Sequence, residues 1–166
     1  MATRFTHSAR INAPVETVFS SYGEEAFWLD RLATVGTAED TLDDLVVADD
    51  AITVTLTQHI ADEDIPDVAR KVLPGQLVIV RNITFTGFDG ERYLSSARAD
   101  AAGGLARIEG GTEAVSAGDA AVESLTGQVK VSVPLLGGKL EKLVVSHLDG
   151  AFEAEYRHLN HWVARS

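Results

Sequence analysis

Cysteine is absent from this chain, which excludes a disulfide framework, a thiolate nucleophile and a cysteine-ligated zinc site. Cations are scarce: 14 Lys and Arg stand against 25 Asp and Glu, for a formal net charge of −11. Sequence-independent binding to a phosphate backbone needs clustered Lys and Arg, so no nucleic-acid partner is expected, nor attachment to an anionic membrane surface. The acids are scattered in pairs, Glu39–Asp40, Asp43–Asp44, Asp49–Asp50 and Asp62–Asp64, which read as solvated turns and helix starts. No run of residues approaches membrane-spanning length, and the stretch from Met1 to His7 lacks the apolar centre of a signal peptide. A soluble, cytoplasmic protein without stable membrane insertion is predicted. Catalytic and cofactor signatures are missing too: there is no G-x-S-x-G elbow, no HExxH pair, and the glycine pairs match neither a phosphate loop nor a dinucleotide fingerprint. No cofactor is implied.

What is present is a clear alternation of elements. The 166 residues, 45% of them hydrophobic, suit a single domain over 1–166 with a sizeable core. Phe5, His7, Ala9 and Ile11 alternate with polar neighbours, the period of a half-buried strand. Pro14 then marks a helix entry; Val15, Val18, Phe19 and Tyr22 form its apolar face, and Gly23 separates it from a second short helix over Glu24–Leu32. From about Thr34 to Val133 the signals are strand and turn. Ile52, Val54 and Leu56 alternate with threonines; Leu77, Ile79, Arg81, Ile83 and Phe85 share one face of the next strand. Strands over Arg92–Asp100, Leu105–Val115 and Ala120–Val133 follow, separated by Asp89-Gly90, Gly103-Gly104 and Gly118-Asp119 turns. Gly110-Gly111, inside a strand pattern, predicts a bulge or a strong bend. The segment Ile65–Val72 reads as a short helix or lid-like loop.

The last element is one long amphipathic helix from Pro134 to Ser166. At 100° per residue, Leu136, Leu140, Leu143, Val144, Leu148, Ala151, Leu159 and Trp162 form a broad apolar stripe, interrupted by His147, Glu155 and His158. A helix laid apolar-side-down on a sheet, with polar groups aimed inward, points to a pocket between the two. Glu155 is the sharpest interruption, because an isolated buried carboxylate costs several kcal/mol and must be paired, protonated or near water. One reading is a polar anchor on the pocket wall or a general acid with a raised pKa. The other, preferred on physical grounds, is an ion pair with an inward arginine, Arg81 or Arg98, or exposure where the helix overhangs the sheet. His147 and His158 would lie about 16 Å apart along the helix, too far to share one ion, so no metal site is expected. Phe27, Trp28, Phe85, Tyr93, Phe152 and Trp162 are candidate aromatic lining, with Leu148; Tyr93, Arg81, His147 and Glu155 are its candidate polar groups.

Strand, two short helices, about six further strands and a long C-terminal helix make an α+β fold. A curved antiparallel sheet of about seven strands would then wrap around the last helix. The opening strand running into Ala13-Pro14-Val15-Glu16-Thr17-Val18-Phe19, with the closing Val131-Ser132-Val133-Pro134-Leu135-Leu136-Gly137-Gly138-Lys139-Leu140-Glu141-Lys142, resembles the helix-grip fold of the START-like superfamily, the polyketide cyclase and Bet v 1-like group. The closing stretch is similar to an uncharacterised actinobacterial family within it. The resemblance covers essentially the whole chain. With no catalytic signature present, the leading expectation is binding or carriage of a hydrophobic small molecule, lipid or polyketide-like. Two alternatives remain: a cyclase, aromatase or dehydratase using Glu155, His147 and Tyr93 in the same pocket, a chemistry known among START-like relatives, and an interaction module whose acidic surface meets a basic partner.

Overall fold

The structure, a computed structural model, describes residues 2–72 and 76–165. Strand β1 (Thr3–Ile11) leads into helices α1 (Val15–Tyr22) and α2 (Glu25–Val35), as the sequence predicts. Strands β2 (Thr41–Val47) and β3 (Ala51–His59) follow, then a 3-10 turn and the short helix α3 (Asp67–Val72). The meander continues through β4 (Val78–Thr86), β5 (Arg92–Ala101), β6 (Ala106–Ala117) and β7 (Ala120–Val131). Helix α4 (Gly137–Ala164) closes the described chain.

All seven strands join one antiparallel sheet in the order β1-β7-β6-β5-β4-β3-β2. Each strand from β2 to β6 pairs with its successor, and β1 lies beside β7, so first and last strands are neighbours. The sheet remains open between β1 and β2. Helix α4 lies chiefly against β1, β7 and α2. This is the expected helix-grip arrangement.

Parity explains which faces are buried. Ile52, Val54 and Leu56 are buried while the threonines between them are half-exposed. Phe5 and Ile11 are buried at opposite ends of β1, with exposed Arg4, Thr6, Ser8 and Arg10 between and beside them. Two predictions need correction. Gly110 and Gly111 pair with Gly127 and Thr126 in unbroken register, so there is no bulge at that point; the register shift lies instead between Leu42 and Asp44 on β2. What the glycine positions provide is close approach: a Cβ on Gly127 would stand 2.6 Å from the Phe5 ring, and one on Gly110 would stand 2.6 Å from the Thr126 carbonyl oxygen. The C-terminal helix also starts later than Pro134. Leu135 has a φ of 67°, which a right-handed helix cannot contain, so winding begins at Gly137, where a Cβ would lie 2.4 Å from the Val131 carbonyl. Ser166, the expected end, lies outside the described residues.

The buried residues fall into two clusters. One joins Ile11, Val18, Tyr22, Phe27, Trp28, Leu56, Phe85, Tyr93 and Leu159 under α1, α2 and the C-terminal half of α4. The other joins Phe5, Ile65, Leu77, Val129, Val131 and Leu140 at the N-terminal half of α4, surrounded by half-buried Ile108, Leu125, Leu143, Leu148 and Phe152.

Candidate functional site: a cavity between sheet and helix

A cavity of about 500 Å³ lies between the sheet and α4, at the boundary of the two clusters. Its apolar wall comes from Phe5, Ile83, Phe85, Ile108, Leu148 and Phe152. The space exists because β5 and β6 turn small residues toward it, Ser95, Ala97, Ala99 and Gly110. Exposed Asp64, Arg98 and Ala151, also in the lining, mark where it opens to solvent.

Strand alternation puts Arg81 on the same face as Ile79, Ile83 and Phe85, across from Ala99 on β5, so its side chain extends toward α4. There it meets Glu155 in a two-pronged ion pair: Arg81 Nη1 donates to Oε2 at 2.6 Å and Nη2 to Oε1 at 3.1 Å. Arg31, on α2, is a second cation beside the same carboxylate, with its Nη1 3.7 Å from Oε1, beyond hydrogen-bond reach. Arg31 is only 5% exposed, and its guanidinium lies 4.8 Å from the centre of the Phe27 ring and 5.1 Å from that of Trp28. Its Nε is buried without a hydrogen-bond partner. Burial pushes the Glu155 carboxyl up, but Arg81 and Arg31 outweigh it and hold the pKa at about 2. Glu155 is therefore one member of an ion pair, and its partner is Arg81. It is not a general acid with a raised pKa. Arg98 pairs instead with Asp100 at the surface.

A second polar centre sits deeper. Glu123 on β7 is 3% exposed and receives the hydroxyls of three tyrosines. Tyr22 donates to Oε2 at 2.8 Å, Tyr93 donates to the same oxygen, and Tyr156 donates to Oε1 at 2.9 Å. Burial, reinforced by the neighbouring Glu123 charge, pushes all three phenols well above their ordinary pKa. These phenols stay protonated and Glu155 stays ionised, so together they supply fixed hydrogen bonds and fixed charge. At the rim, Asp40 accepts the backbone N–H groups of Thr37 (3.0 Å) and His59 (2.8 Å). Burial acts to raise the Asp40 pKa, and these bonds bring it below the ordinary range.

Of the residues singled out in the sequence, Trp28, Arg81, Phe85, Leu148, Phe152 and Glu155 converge on the cavity. Phe27 and Trp162 do not line it; they pack on each other with ring centres 5.7 Å apart, in the closed part of the core. Tyr93, fully buried, is one layer removed, behind the lining residues Glu123, Tyr22 and Phe85. His147 is a correction: it is exposed on α4. The buried side of that helix is centred on Leu148, Glu155 and Leu159, and His147 stands about 80° around the axis from Glu155. His158, the other interrupting histidine, is buried against α2 with Nε2 2.8 Å from Asp30 Oδ2. Burial pulls its pKa down, and its buried Nδ1 has no hydrogen-bond partner. Both facts fit a neutral ring that donates from Nε2. Glu155, His147 and Tyr93 are thus not assembled into one acid–base constellation.

Sequence reasoning missed Arg31, Glu123, Tyr22 and Tyr156 as lining. Two of them had a signal. Glu123 shares the inward parity of Ala121, Leu125, Val129 and Val131, and Arg31 stands three and four residues after Trp28 and Phe27, on their face of α2.

An uncharacterized protein of Mycobacterium tuberculosis strain H37Rv is 27% identical over 177 residues, spanning 100% of this chain and 99% of the relative. Among solved structures, TTHA0849 from Thermus thermophilus superposes with a TM-score of 0.64 at 16% identity, covering 98% of each chain. The Zhui aromatase/cyclase from Streptomyces sp. R1128 does so with a TM-score of 0.62 at 13% identity, covering 99% of this chain and 95% of that one. The fold is the helix-grip fold of the START-like, polyketide cyclase and Bet v 1-like group. The chain belongs to the family described as "Protein of unknown function (DUF2505)", whose model matches residues 6–163.

Proposed function

We propose that this protein binds a hydrophobic small molecule, lipid or polyketide-like, in the cavity between sheet and α4. The observation that carries the reading is the cavity itself. Protein interiors are packed to the density of organic crystals, so about 500 Å³ left open beside a packed aromatic core is a feature to be explained. Its size falls within the range of small-molecule sites, about 300–1,000 Å³, and so does its make-up of apolar walls with a few convergent polar groups. The similarity in fold to an aromatase/cyclase supports a ligand cavity without assigning a reaction. The fixed protonation of Glu155 and the three phenols favours holding a ligand over moving protons.

Native mass spectrometry of protein purified without denaturant, with solvent extraction of the same sample, tests this directly. A retained apolar compound, or saturable uptake of a neutral solvatochromic dye, is expected. Ala97, on β5 opposite Ile83 and Gly110, lines the open space. Ala97→Phe should fill part of it, lowering dye affinity while leaving the thermal midpoint unchanged or higher. Absence of both bound compound and dye uptake in the wild type would reject the reading.

A further inference from the structure

At the polar end of the cavity two cations, Arg31 and Arg81, face two carboxylates, Glu155 and Glu123, but their hydrogen bonding is uneven. Arg81 and Glu155 neutralise each other one for one through two direct hydrogen bonds. Glu123 is covered by three phenolic donors. Arg31 is the one of the four without a direct side-chain hydrogen bond. It lines the cavity at 5% exposure, the nearest carboxylate oxygen is 3.7 Å away and already bonded to Arg81, and its buried Nε has no acceptor. The aromatic faces of Phe27 and Trp28 support the guanidinium but accept none of its in-plane N–H donors. A desolvated guanidinium with unfilled donors costs free energy that a bound anionic oxygen would recover. Glu155 already receives Arg81 and Glu123 already receives three phenols, so an incoming cation would have to displace one of these donors.

We propose that the ligand is an anionic amphiphile whose carboxylate head docks on Arg31, beside the Arg81–Glu155 pair, with its apolar body against Phe5, Ile108, Leu148 and Phe152. This rests on the cavity being the ligand site. It specifies the head group, on which the volume and apolar lining are silent. The head would give Arg31 a directly bonded counter-charge from the cavity side, and the apolar body would occupy the loosely filled side of the core.

The experiment uses three probes of one chain length, dodecanoic acid, dodecanol and dodecylamine, each displacing the neutral dye at pH 7.5 and 0.15 M salt, where exposed charges are screened beyond about 8 Å. A charge-assisted hydrogen bond predicts that the acid binds about tenfold to a hundredfold more tightly than the alcohol. That preference would run against the net charge of −11, which by itself favours the amine. Arg31→Met should bring acid and alcohol to within about twofold, with the larger loss falling on the acid; Arg31→Gln serves the same purpose if the methionine variant does not fold. Equal binding of acid and alcohol by the wild type, tighter binding of the amine, or an acid preference that survives both substitutions would overturn the inference and leave the cavity reading standing. Failure of the dye and all three probes to bind would reject the cavity reading itself.

Discussion

The two halves of the core are built differently. Beneath α1 and α2, Tyr22 stacks on Phe85 with ring centres 4.1 Å apart, Phe27 meets Trp28 edge-on at 5.1 Å, and Phe27, Trp28 and Tyr93 are all fully buried. Toward the start of α4 the side chains are mostly aliphatic, and Ile108, Leu125, Leu143, Leu148 and Phe152 are only half-buried. The same sheet serves both halves. The difference lies in what covers it: α1, α2 and the end of α4 press aromatic rings onto one part, while the first half of α4 bridges the other. The cavity begins where the aromatic stacking stops, and its polar residues mark that boundary, because Arg31, Tyr22 and Trp28 come from the packed half and Phe5, Ile108 and Leu148 from the looser one. Rigidity on one side and unfilled volume on the other are what a binding site on a stable scaffold requires.

The contrast predicts unequal responses to the same truncation. Phe27→Ala leaves a hole that neighbouring rings cannot collapse to fill, and should cost about 3–5 kcal/mol. Phe152→Ala only enlarges a space that is already open, and should cost less than half as much. Denaturant unfolding of the pair measures both. Equal losses would mean that the two halves are packed alike.

Next in size is the ionic boundary. Glu155 is ionised in the fold with a pKa of about 2 against an ordinary 4.5, a difference of about 3 kcal/mol in favour of the folded state at neutral pH. Because the folded pKa is the lower one, this contribution is fully present above about pH 4.5 and is lost as the pH falls toward 2. Glu155→Gln should therefore lower stability at pH 7 by about 2–3 kcal/mol, since it leaves Arg81 and Arg31 without their shared counter-charge. It should also flatten the acid limb between pH 4.5 and 2. Chemical denaturation across that range tests both, and an unchanged acid limb would show that the ion pair contributes nothing to folding.

How legible the molecule is in its sequence follows the same boundary. Strands with one buried face declare themselves, as Ile52, Val54 and Leu56 do, and parity alone places Arg81 among inward residues. Strand β2 does not, because Asp43 and Asp44 interrupt it and the register shift between Leu42 and Asp44 breaks the alternation. The long helix is easy to recognise, but the phase of its stripe is not. Helix α4 is held by β1, β7 and α2 together, so its buried arc is broader than a single stripe, and a residue at the edge such as His147 can fall on either side. The pairing of Glu155 is expected and is found. The Glu123 centre goes unseen because its three hydroxyls come from α1, β5 and α4, a convergence that only the folded chain creates.

That centre supplies the smallest and most discriminating comparison. Tyr93 and Tyr156 both donate to Glu123, yet Tyr93 is fully buried behind the cavity wall while Tyr156 is half-buried and lines the cavity. Removing either hydroxyl changes volume very little. In the packed half no water can replace the lost donor, so Tyr93→Phe should cost about 1.5–3 kcal/mol, the worth of a hydrogen bond to a charged group. In the cavity half water can take its place, and Tyr156→Phe should cost less than about 1 kcal/mol. A larger loss for Tyr156→Phe than for Tyr93→Phe would place the rigid part of the core on the other side of Glu123. The division between scaffold and site would then have to be redrawn.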